Sequence, residues 1–324
     1  MKPQYHSFDV LKFIIAFLVI AIHCNVQDYS LLLRKVCDLA VPLFFLMSGY
    51  LLQKNVNRGG YLRGYMVKLS KLYFLWSVIY FPLAILGYYE WGLSLPLAAY
   101  GYVRDFFFMG QHYMSWQLWY LLAMIYGVCM INVFQKIKIS IEGCVVIGGL
   151  LTFIGMLMDV IHEASLQNSL ITSIVSGYFE LFRTVRNGIF NGFLFIVLGM
   201  LLYKYQKNLN RISKLVIFTV LFLFAGLYLY DVPFALHLLS FILLYCVLLI
   251  RLPDASCYIW LRNMSTLIYF SHMLFVAFIK YEYPTLSSFG LKWIFVSLLS
   301  FFFSAIVLLL ANRRLRFLNN LLGK

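Results

Sequence analysis

Residues Phe8–Gln27, FDVLKFIIAFLVIAIHCNVQ, form the first long apolar run of the chain. About 20 largely apolar residues are enough for a helix to cross the hydrocarbon layer of a bilayer. The stretch nevertheless contains Lys12 and His23. A cation at the centre of a membrane helix costs roughly 2.5 kcal/mol or more on insertion scales, so it usually faces a cavity or a partner. The sequence therefore predicts a membrane span with a functional polar face.

Lys12 and His23 return to nearly the same face of this helix, about 16 Å apart along its axis. Asp9 precedes Lys12 by one helical turn, and we expect its carboxylate to be the counter-ion of Lys12. An imidazole can act as general base for a hydroxyl nucleophile, and a lysine binds phosphate well. The other interpretation of His23 is a hydrogen bond that packs two helices together.

The composition confines the chain to the membrane. Of its 324 residues 63% are hydrophobic and 12% are charged, and its mean hydropathy is +0.86. We predict an all-α polytopic bundle of about ten transmembrane helices that forms one domain, residues 1–324. The net charge of +14 does not indicate nucleic-acid binding, because no stretch is long enough to form a soluble basic domain. The predicted spans are 8–27, 36–53, 69–89, 115–134, 139–160, 186–203, 214–231, 233–250, 262–280 and 291–311.

The distribution of Lys and Arg predicts the orientation of these spans. Placing the N-terminus in the cytoplasm puts 18 of the 26 Lys and Arg residues in inner segments and seven in outer ones. Both termini are then cytoplasmic, and the first span is expected to be an uncleaved anchor. The orientation of all spans after residue 233 depends on the short turn at Asp231–Pro233. We interpret 93–109 as interfacial or re-entrant and 161–185 as an amphipathic outer loop. The six cysteines show no metal-binding or disulfide spacing, and no metal motif is present.

Further candidate residues follow from their depth in this map. Asp38 lies near the depth of His23 and could orient its imidazole. Ser48 lies near the depth of Lys12, where Gly49 would permit close approach of a helix or a ligand. Arg63, Lys68 and Lys71 lie at the inner end of the third span and could bind nucleotide phosphates; the alternative is that they are ordinary positive-inside anchors.

The outer half carries side chains suited to a sugar acceptor. Aromatic rings there could stack on a sugar, although they could equally be interfacial belt residues, and arginines are unusual in outer loops. His272 could line a tunnel or make an interhelical hydrogen bond. These candidates for acceptor binding are Trp116, Trp119, Tyr120, Arg183, Arg186 and His272.

Several motifs occur in an order that resembles the acyltransferase-3 family of membrane O-acyltransferases. Phe8–Lys12 followed by His23 is similar to the family's first-helix signature, although the family often has arginine where this chain has Lys12. The other stretches that resemble family motifs are Val41–Leu51, Gln117–Leu121, Arg186–Gly199 and Ser265–His272.

The resemblance implies transfer of an acyl group, usually acetyl, from cytoplasmic acetyl-CoA or another acyl-CoA to a hydroxyl of an extracytoplasmic glycan or lipid-linked saccharide. It implies O-acetylation as polysaccharide modification at the cell membrane, with no metal. In this hypothesis Lys12 helps to hold the donor, Asp9 orients Lys12 and His23 removes the acceptor proton. Expected partners are membrane lipid, the coenzyme A thioester and the saccharide, with no nucleic acid; a homo-oligomer is left open.

Two other classes remain open at this stage. A transporter or exporter of a polysaccharide or its precursor would also bury charge along a bundle axis. Transporters commonly show inverted repeats, and the sequence contains no such symmetry, which favours the enzyme. A non-catalytic scaffold or sensor would not require Lys12 and His23 on one face.

Overall fold

A computed structural model describes residues 5–164, 170–209, 211–313 and 315–323. Within these ranges the regular structure is entirely helical. Short 3-10 or π segments lie at Val26–Tyr29, Asp105–Met109, Trp116–Leu118, Gly188–Gly192 and Arg316–Leu322. The α-helices are α1 (His6–His23), α2 (Leu31–Asp38), α3 (Ala40–Asn55), α4 (Tyr61–Glu90), α5 (Leu95–Arg104), α6 (Trp119–Lys136), α7 (Ile141–Glu163), α8 (Leu170–Phe182), α9 (Phe193–Leu209), α10 (Lys214–Leu229), α11 (Ala235–Leu249), α12 (Cys257–Glu282) and α13 (Phe289–Arg313).

Each of the ten predicted spans coincides with one of these helices, which confirms the all-helical fold. Among the described residues seven helical segments are long and apolar enough to cross a membrane, so the chain is a membrane protein. The helices α3, α10 and α11 have 16, 16 and 15 residues, fewer than the roughly 20 that a perpendicular span needs. The number of spans and the cytoplasmic placement of both termini therefore stay predictions.

The segments interpreted as non-spanning are also helical. The 93–109 stretch contains α5, which continues into the π turn at Asp105–Met109. The 161–185 stretch contains α8, with 13 residues, while 165–169 lie outside the described part of the chain. Both helices are shorter than a bilayer crossing requires.

The centre of the bundle is a backbone-to-backbone contact between α3 and α9. A Cβ built on Gly49 would lie 1.9 Å from the carbonyl oxygen of Ile196, and one on Gly199 would lie 2.1 Å from that of Leu46. Only glycine fits where two helix backbones meet so closely, as in small-residue contacts between membrane helices. The expected close approach at Gly49 is confirmed, with a helix as the partner.

Ion pairs between loops show which loops lie at the same end of the bundle. At the basal end, where α1 begins, His6 contacts Asp254 at 2.7 Å. At the distal end, where α1 finishes, Lys35 pairs with Asp231. The latter pair places the 231–233 turn on the same end as α2, as the charge distribution predicted.

Candidate functional site

Two histidines face each other at the distal end of the bundle. His23 is the last residue of α1, and His272 lies in the middle of α12, which packs along α1. Their ring centroids are 5.2 Å apart, and the ring of Trp116 lies 5.9 Å from that of His23. The structure thus brings together three residues that the sequence singled out separately. We call His23, His272 and Trp116 the histidine site.

The hydrogen bonds of His272 define its tautomer. Its Nδ1 lies 2.7 Å from the carbonyl oxygen of Tyr269 and 3.2 Å from that of Ile268. Carbonyl oxygens only accept, so Nδ1 carries the proton and Nε2 keeps a free lone pair. That Nε2 is buried and has no partner within the described protein. His272 therefore presents a hydrogen-bond acceptor inside the bundle.

Two neighbouring residues also bury polar atoms without a protein partner. Gln117 donates its amide to the carbonyl of Phe270 at 2.9 Å, which leaves its Oε1 unpaired, and the Oγ of Ser271 is unpaired as well. Gln117 directly follows Trp116 in the chain, and Ser271 directly precedes His272. Buried polar atoms are nearly always satisfied by protein or water, so this concentration is typical of a place where a polar molecule binds.

A row of polar side chains continues from the histidine site into the bundle. The rings of His272 and Tyr269 are 6.2 Å apart, those of Tyr269 and Tyr120 are 5.7 Å apart, and the hydroxyls of Tyr120 and Ser48 are 2.8 Å apart. Tyr65, near the start of α4, interacts with Ser48 in turn. We call this row, from Tyr65 to His272, the polar seam. It runs toward the basal end between α3, α4, α6 and α12.

Several members of the seam retain accessible surface. Ser48, Tyr65 and Tyr120 are half-buried, whereas the neighbours of Ser48 in the chain, Met47 and Gly49, are buried. Polar side chains within a membrane bundle usually face the interior or a water-filled space. The exposure pattern fits an internal crevice along the seam.

At the basal end the structure gives Asp9 a different partner from the one expected. Both carboxylate oxygens of Asp9 accept bonds from Arg262, at 2.7 Å from Nε and 2.6 Å from Nη2. A guanidinium presents a planar fork that matches a carboxylate, which a lysine ammonium cannot do. Lys12 is half-buried beside this pair and is electrostatically coupled to Asp9, Arg262 and Lys68. The acid therefore neutralises a shared cationic cluster rather than Lys12 alone.

The three cations predicted at the start of α4 separate into two groups. Lys68 lies against the chain terminus, because a Cβ built on Gly323 would be 3.1 Å from its Cε. It faces the same region as Lys12. Arg63 and Lys71 instead line a cleft with Lys136 of α6. The three cations predicted to act together therefore belong to two separate regions.

Asp38 belongs to a neighbouring cluster at the distal end. It is exposed at the end of α2, and its carboxylate accepts from the hydroxyl of Tyr228 at 3.4 Å. The nearby positive charges are those of Arg186, Lys35 and Arg34. The contacts of the described residues do not join Asp38 to His23, so an orienting role has no geometric support here.

The remaining acceptor candidates contact other parts of the bundle or are exposed. Trp119 packs on Phe45, with ring centroids 5.7 Å apart, and Tyr120 belongs to the seam. Arg183 and Arg186 are exposed in the segment after α8. Of the predicted acceptor-binding residues, Trp116 and His272 are the ones whose rings contact that of His23.

The loop that leads into Trp116 is fixed by a buried histidine. His112 stacks on Tyr102 with ring centroids 4.2 Å apart and lies 3.4 Å from the hydroxyl of Tyr88. Burial lowers the pKa of His112 to about 4, so it is neutral at physiological pH. A neutral, stacked His112 positions the 110–115 loop and hence Trp116.

Three residues of this region are not predicted by the sequence. Arg262 stands at the start of the predicted span 262–280 and is one of the 18 cations predicted on the inner side, where an arginine is a suitable partner for an acid in another span. Tyr269 stands in the same motif as His272, three residues before it, and Tyr65 stands one turn before Lys68. Their packing against Tyr120 and Ser48 depends on how helices pair, which spacing within one helix does not reveal.

The described residues contain no cluster of three or more His, Cys, Asp or Glu side chains suited to a metal.

Curated proteins similar to this chain include three bacterial ones. An amino-acid racemase of Enterococcus faecalis is 25% identical over 98% of this chain and 47% of its own length. A second amino-acid racemase of Enterococcus faecalis is 29% identical over 61% of the chain and 28% of its own length. A serine/alanine racemase of Enterococcus gallinarum is 28% identical over 65% of the chain and 30% of its own length. The chain spans about half the length, or less, of these relatives.

No solved structure matches the chain significantly. Residues 5–311 match the family profile of an acyltransferase domain, so nearly the whole chain is covered. The profile is that of enzymes that transfer acyl groups other than aminoacyl groups, as the ordered motifs indicated. The chain belongs to the acyltransferase-3 family.

Proposed function

We propose that this protein transfers an acyl group, acetyl in the simplest case, from a cytoplasmic acyl-CoA to a hydroxyl of an extracytoplasmic glycan or lipid-linked saccharide. The proposal places it in the cell membrane, with the basal end toward the cytoplasm. The observation that carries it is the histidine site of an acyltransferase-family bundle, where the ring of His23 lies 5.2 Å from that of His272, whose buried Nε2 is unpaired.

The chemistry requires one base and one leaving group. The acceptor hydroxyl oxygen forms a bond to the thioester carbonyl carbon while a nitrogen of His23 takes the hydroxyl proton. The carbon–sulfur bond then breaks, and the proton passes from His23 to the departing thiolate, which leaves as coenzyme A. His23 returns to its neutral state, so the reaction consumes no other reactant.

His272 is proposed to position the base. Its Nε2 is an acceptor only, so a contact with His23 directs the N–H of His23 toward it and leaves the other nitrogen of His23 free to take a proton. In hydrolases with a catalytic triad a carboxylate orients the catalytic imidazole in this manner. Asp38 was expected to do so, but the geometry favours His272.

The donor is proposed to enter from the basal end. Lys12 and Lys68 share a cationic region there with Arg262, and a phosphate group is attracted to such a region. The polar seam, which includes Ser48, gives the pantetheine arm hydrogen-bonding groups along its length. The roughly 16 Å between Lys12 and His23 along α1 matches the reach of that arm.

The acceptor is proposed to bind at the distal end against Trp116. An indole face can stack on the apolar face of a sugar ring, and Trp116 is 39% exposed, so it is accessible. Arg183 and Arg186 are exposed and suit an anionic or hydroxyl-rich saccharide. Because one curated relative is named a serine/alanine racemase, free serine, which also carries a hydroxyl, belongs in the acceptor panel.

The test is acyl transfer by purified protein in lipid vesicles. Radiolabelled acetyl-CoA is supplied with a panel of glycans, lipid-linked saccharides and serine, and labelled ester is counted. His23→Ala should lower the rate by about 100-fold to 10,000-fold, the usual contribution of a general base. The matched control is the exposed His162→Ala in α7, which should retain activity. Full activity of His23→Ala would overturn the catalytic assignment.

A second measurement addresses His272. We expect His272→Leu to lower kcat by about 10-fold to 100-fold, as loss of an orienting partner does, with the KM for acetyl-CoA unchanged. His272→Gln retains an acceptor and should recover part of kcat. Equal loss in both variants, or a rise in KM alone, would contradict the positioning role. Saccharide flux across vesicles without ester formation would favour the transporter.

A further inference from the structure

We infer that the cleft between α4 and α6 at the basal end binds the phosphate headgroup of an anionic phospholipid. This cleft encloses about 560 Å³ and lies apart from the histidine site and the polar seam. It is lined by Arg63, Met66, Val67, Ser70, Lys71, Asn132 and Lys136.

The charge of the cleft complements an anion. Arg63 and Lys71 project from α4, and Lys136 projects from the last turn of α6. Ser70 and Asn132 add hydroxyl and amide hydrogen-bond donors, and none of the seven lining residues is acidic. Basic pockets between membrane helices on the cytoplasmic side are typical binding places for anionic lipid headgroups.

The surface beyond the cations is apolar and faces outward. Val67, Phe74 and Val78 follow one face of α4, and they are 46%, 62% and 51% exposed. On α6, Val133 is 53% exposed beside the cleft. In a membrane protein such side chains contact lipid. A phospholipid matches this arrangement, because its phosphate would meet the cations while its acyl chains follow the apolar face.

The same arrangement argues against a nucleotide in this cleft. The side of α4 that faces the bundle interior carries Tyr65, and the side chain of Lys68 lies near Lys12. Arg63 and Lys71 lie around the helix from that side, toward the surface that carries Val67. A thioester donor held in the cleft would start outside the seam that leads to His23. The lipid assignment therefore removes Arg63 and Lys71 from the donor site.

The experiment titrates the full-length protein in detergent with dioleoyl phosphatidylglycerol or dioleoyl phosphatidylcholine and counts bound lipid by native mass spectrometry. The cleft variant carries Arg63→Gln, Lys71→Gln and Lys136→Gln. A control variant removes three exposed cations predicted on the same end but outside the cleft, and it carries Arg58→Gln, Lys207→Gln and Lys214→Gln. Each juxtamembrane cation contributes about 1 kcal/mol toward an anionic lipid, which corresponds to about fivefold in affinity.

We expect the wild type to prefer phosphatidylglycerol, and the cleft variant to bind it about 100-fold more weakly, while the control keeps most of the affinity. Equal weakening in both variants would overturn the site, since it would show diffuse charge attraction. Weaker binding of acetyl-CoA by the cleft variant, measured by calorimetry, would overturn it in favour of a donor phosphate. If the triple variant is not monodisperse, Lys136→Gln alone should still lose about fivefold. Acyl transfer by His23 is assayed separately, so failure of either proposal leaves the other intact.

Discussion

The ion pair between Asp9 and Arg262 makes the sharpest energetic prediction. The side chain of Asp9 is 4% exposed, and both of its oxygens bond to Arg262, whose side chain is 44% exposed. Water can therefore solvate the guanidinium of Arg262 when Asp9 is removed, but it cannot reach the carboxylate of Asp9 when Arg262 is removed. Arg262→Gln leaves a buried carboxylate without its partner, whereas Asp9→Asn leaves a guanidinium that already reaches water.

The magnitudes follow from this asymmetry. Removing one partner of a buried ion pair so that the other charge stays buried and unpaired costs about 3–5 kcal/mol of stability. We expect Arg262→Gln to lose this amount. Asp9→Asn should cost about 1.5–3 kcal/mol, the range for hydrogen bonds to a charged group. The double variant should be close to Asp9→Asn alone, because no buried charge remains. The coupling energy of the pair then equals the loss for Arg262→Gln, about 3–5 kcal/mol.

Lys12 offers a further check on the same pair. It follows Asp9 by one turn and senses its charge, so it is the cation that remains when Arg262 is lost. Lys12→Met should therefore destabilise the Arg262→Gln background more than it destabilises the wild type. An equal effect in both backgrounds would show that Lys12 never compensates Asp9.

The assay is reversible unfolding in mixed dodecylmaltoside and sodium dodecyl sulfate micelles, followed by circular dichroism. Arg251→Gln, an exposed cation in the loop before α12, is the matched control and should change stability by less than about 0.5 kcal/mol. The reasoning would be refuted if Arg262→Gln were no more destabilising than Arg251→Gln, or less destabilising than Asp9→Asn.

Three further predictions concern other parts of the bundle. Gly199→Ala should destabilise it by about 1–3 kcal/mol, since the new Cβ would lie 2.1 Å from the carbonyl oxygen of Leu46 and force α3 and α9 apart; thermal unfolding in detergent measures this. His112 has a pKa lowered to about 4 in the folded protein, so the unfolded state binds more protons below about pH 6.5, and stability should fall by about 1.4 kcal/mol per pH unit from there toward pH 4. His112→Gln should reduce the pH dependence of stability by that amount, measured in melting curves recorded from pH 4 to 8. Tyr113→Phe removes a hydroxyl that donates to Glu90 at 2.8 Å, and it should lower the melting temperature slightly in the same assay; a null result would argue that water replaces this bond.

Much of the fold was predictable because the bilayer imposes it. Every backbone polar group must be satisfied within the hydrocarbon, so long apolar runs can only be helices. All ten predicted runs are helical for this reason. The start of α3 was less predictable, because the apolar run that predicted a span from residue 36 does not show the break between α2, which ends at Asp38, and α3, which begins at Ala40.

The residues of the candidate site were predictable where their spacing within a single helix placed them on one face. Lys12 and His23 share a face of α1, and His272 stood in a motif near the end of the chain. The partners across helices were not predictable. Asp9 was assigned to Lys12 because spacing within a helix favours it, yet Arg262 from α12 presents a bidentate fork and takes the carboxylate. In the same way, residue depth placed Asp38 beside His23, but the direction of α2 turns it toward Tyr228.

The parallel packing of α1 and α12 connects the two ends of the molecule. Fourteen residues separate Asp9 from His23 and ten separate Arg262 from His272, which corresponds to about 21 Å and 15 Å of helix. The difference is about one turn, and the long side chain of Arg262 can span it to reach Asp9. Arg262→Lys, which provides neither that reach nor a bidentate fork, would then let α12 move along α1 and change the separation of the two imidazoles. We therefore expect the ion pair at the basal end to set the separation of His23 and His272 at the distal end.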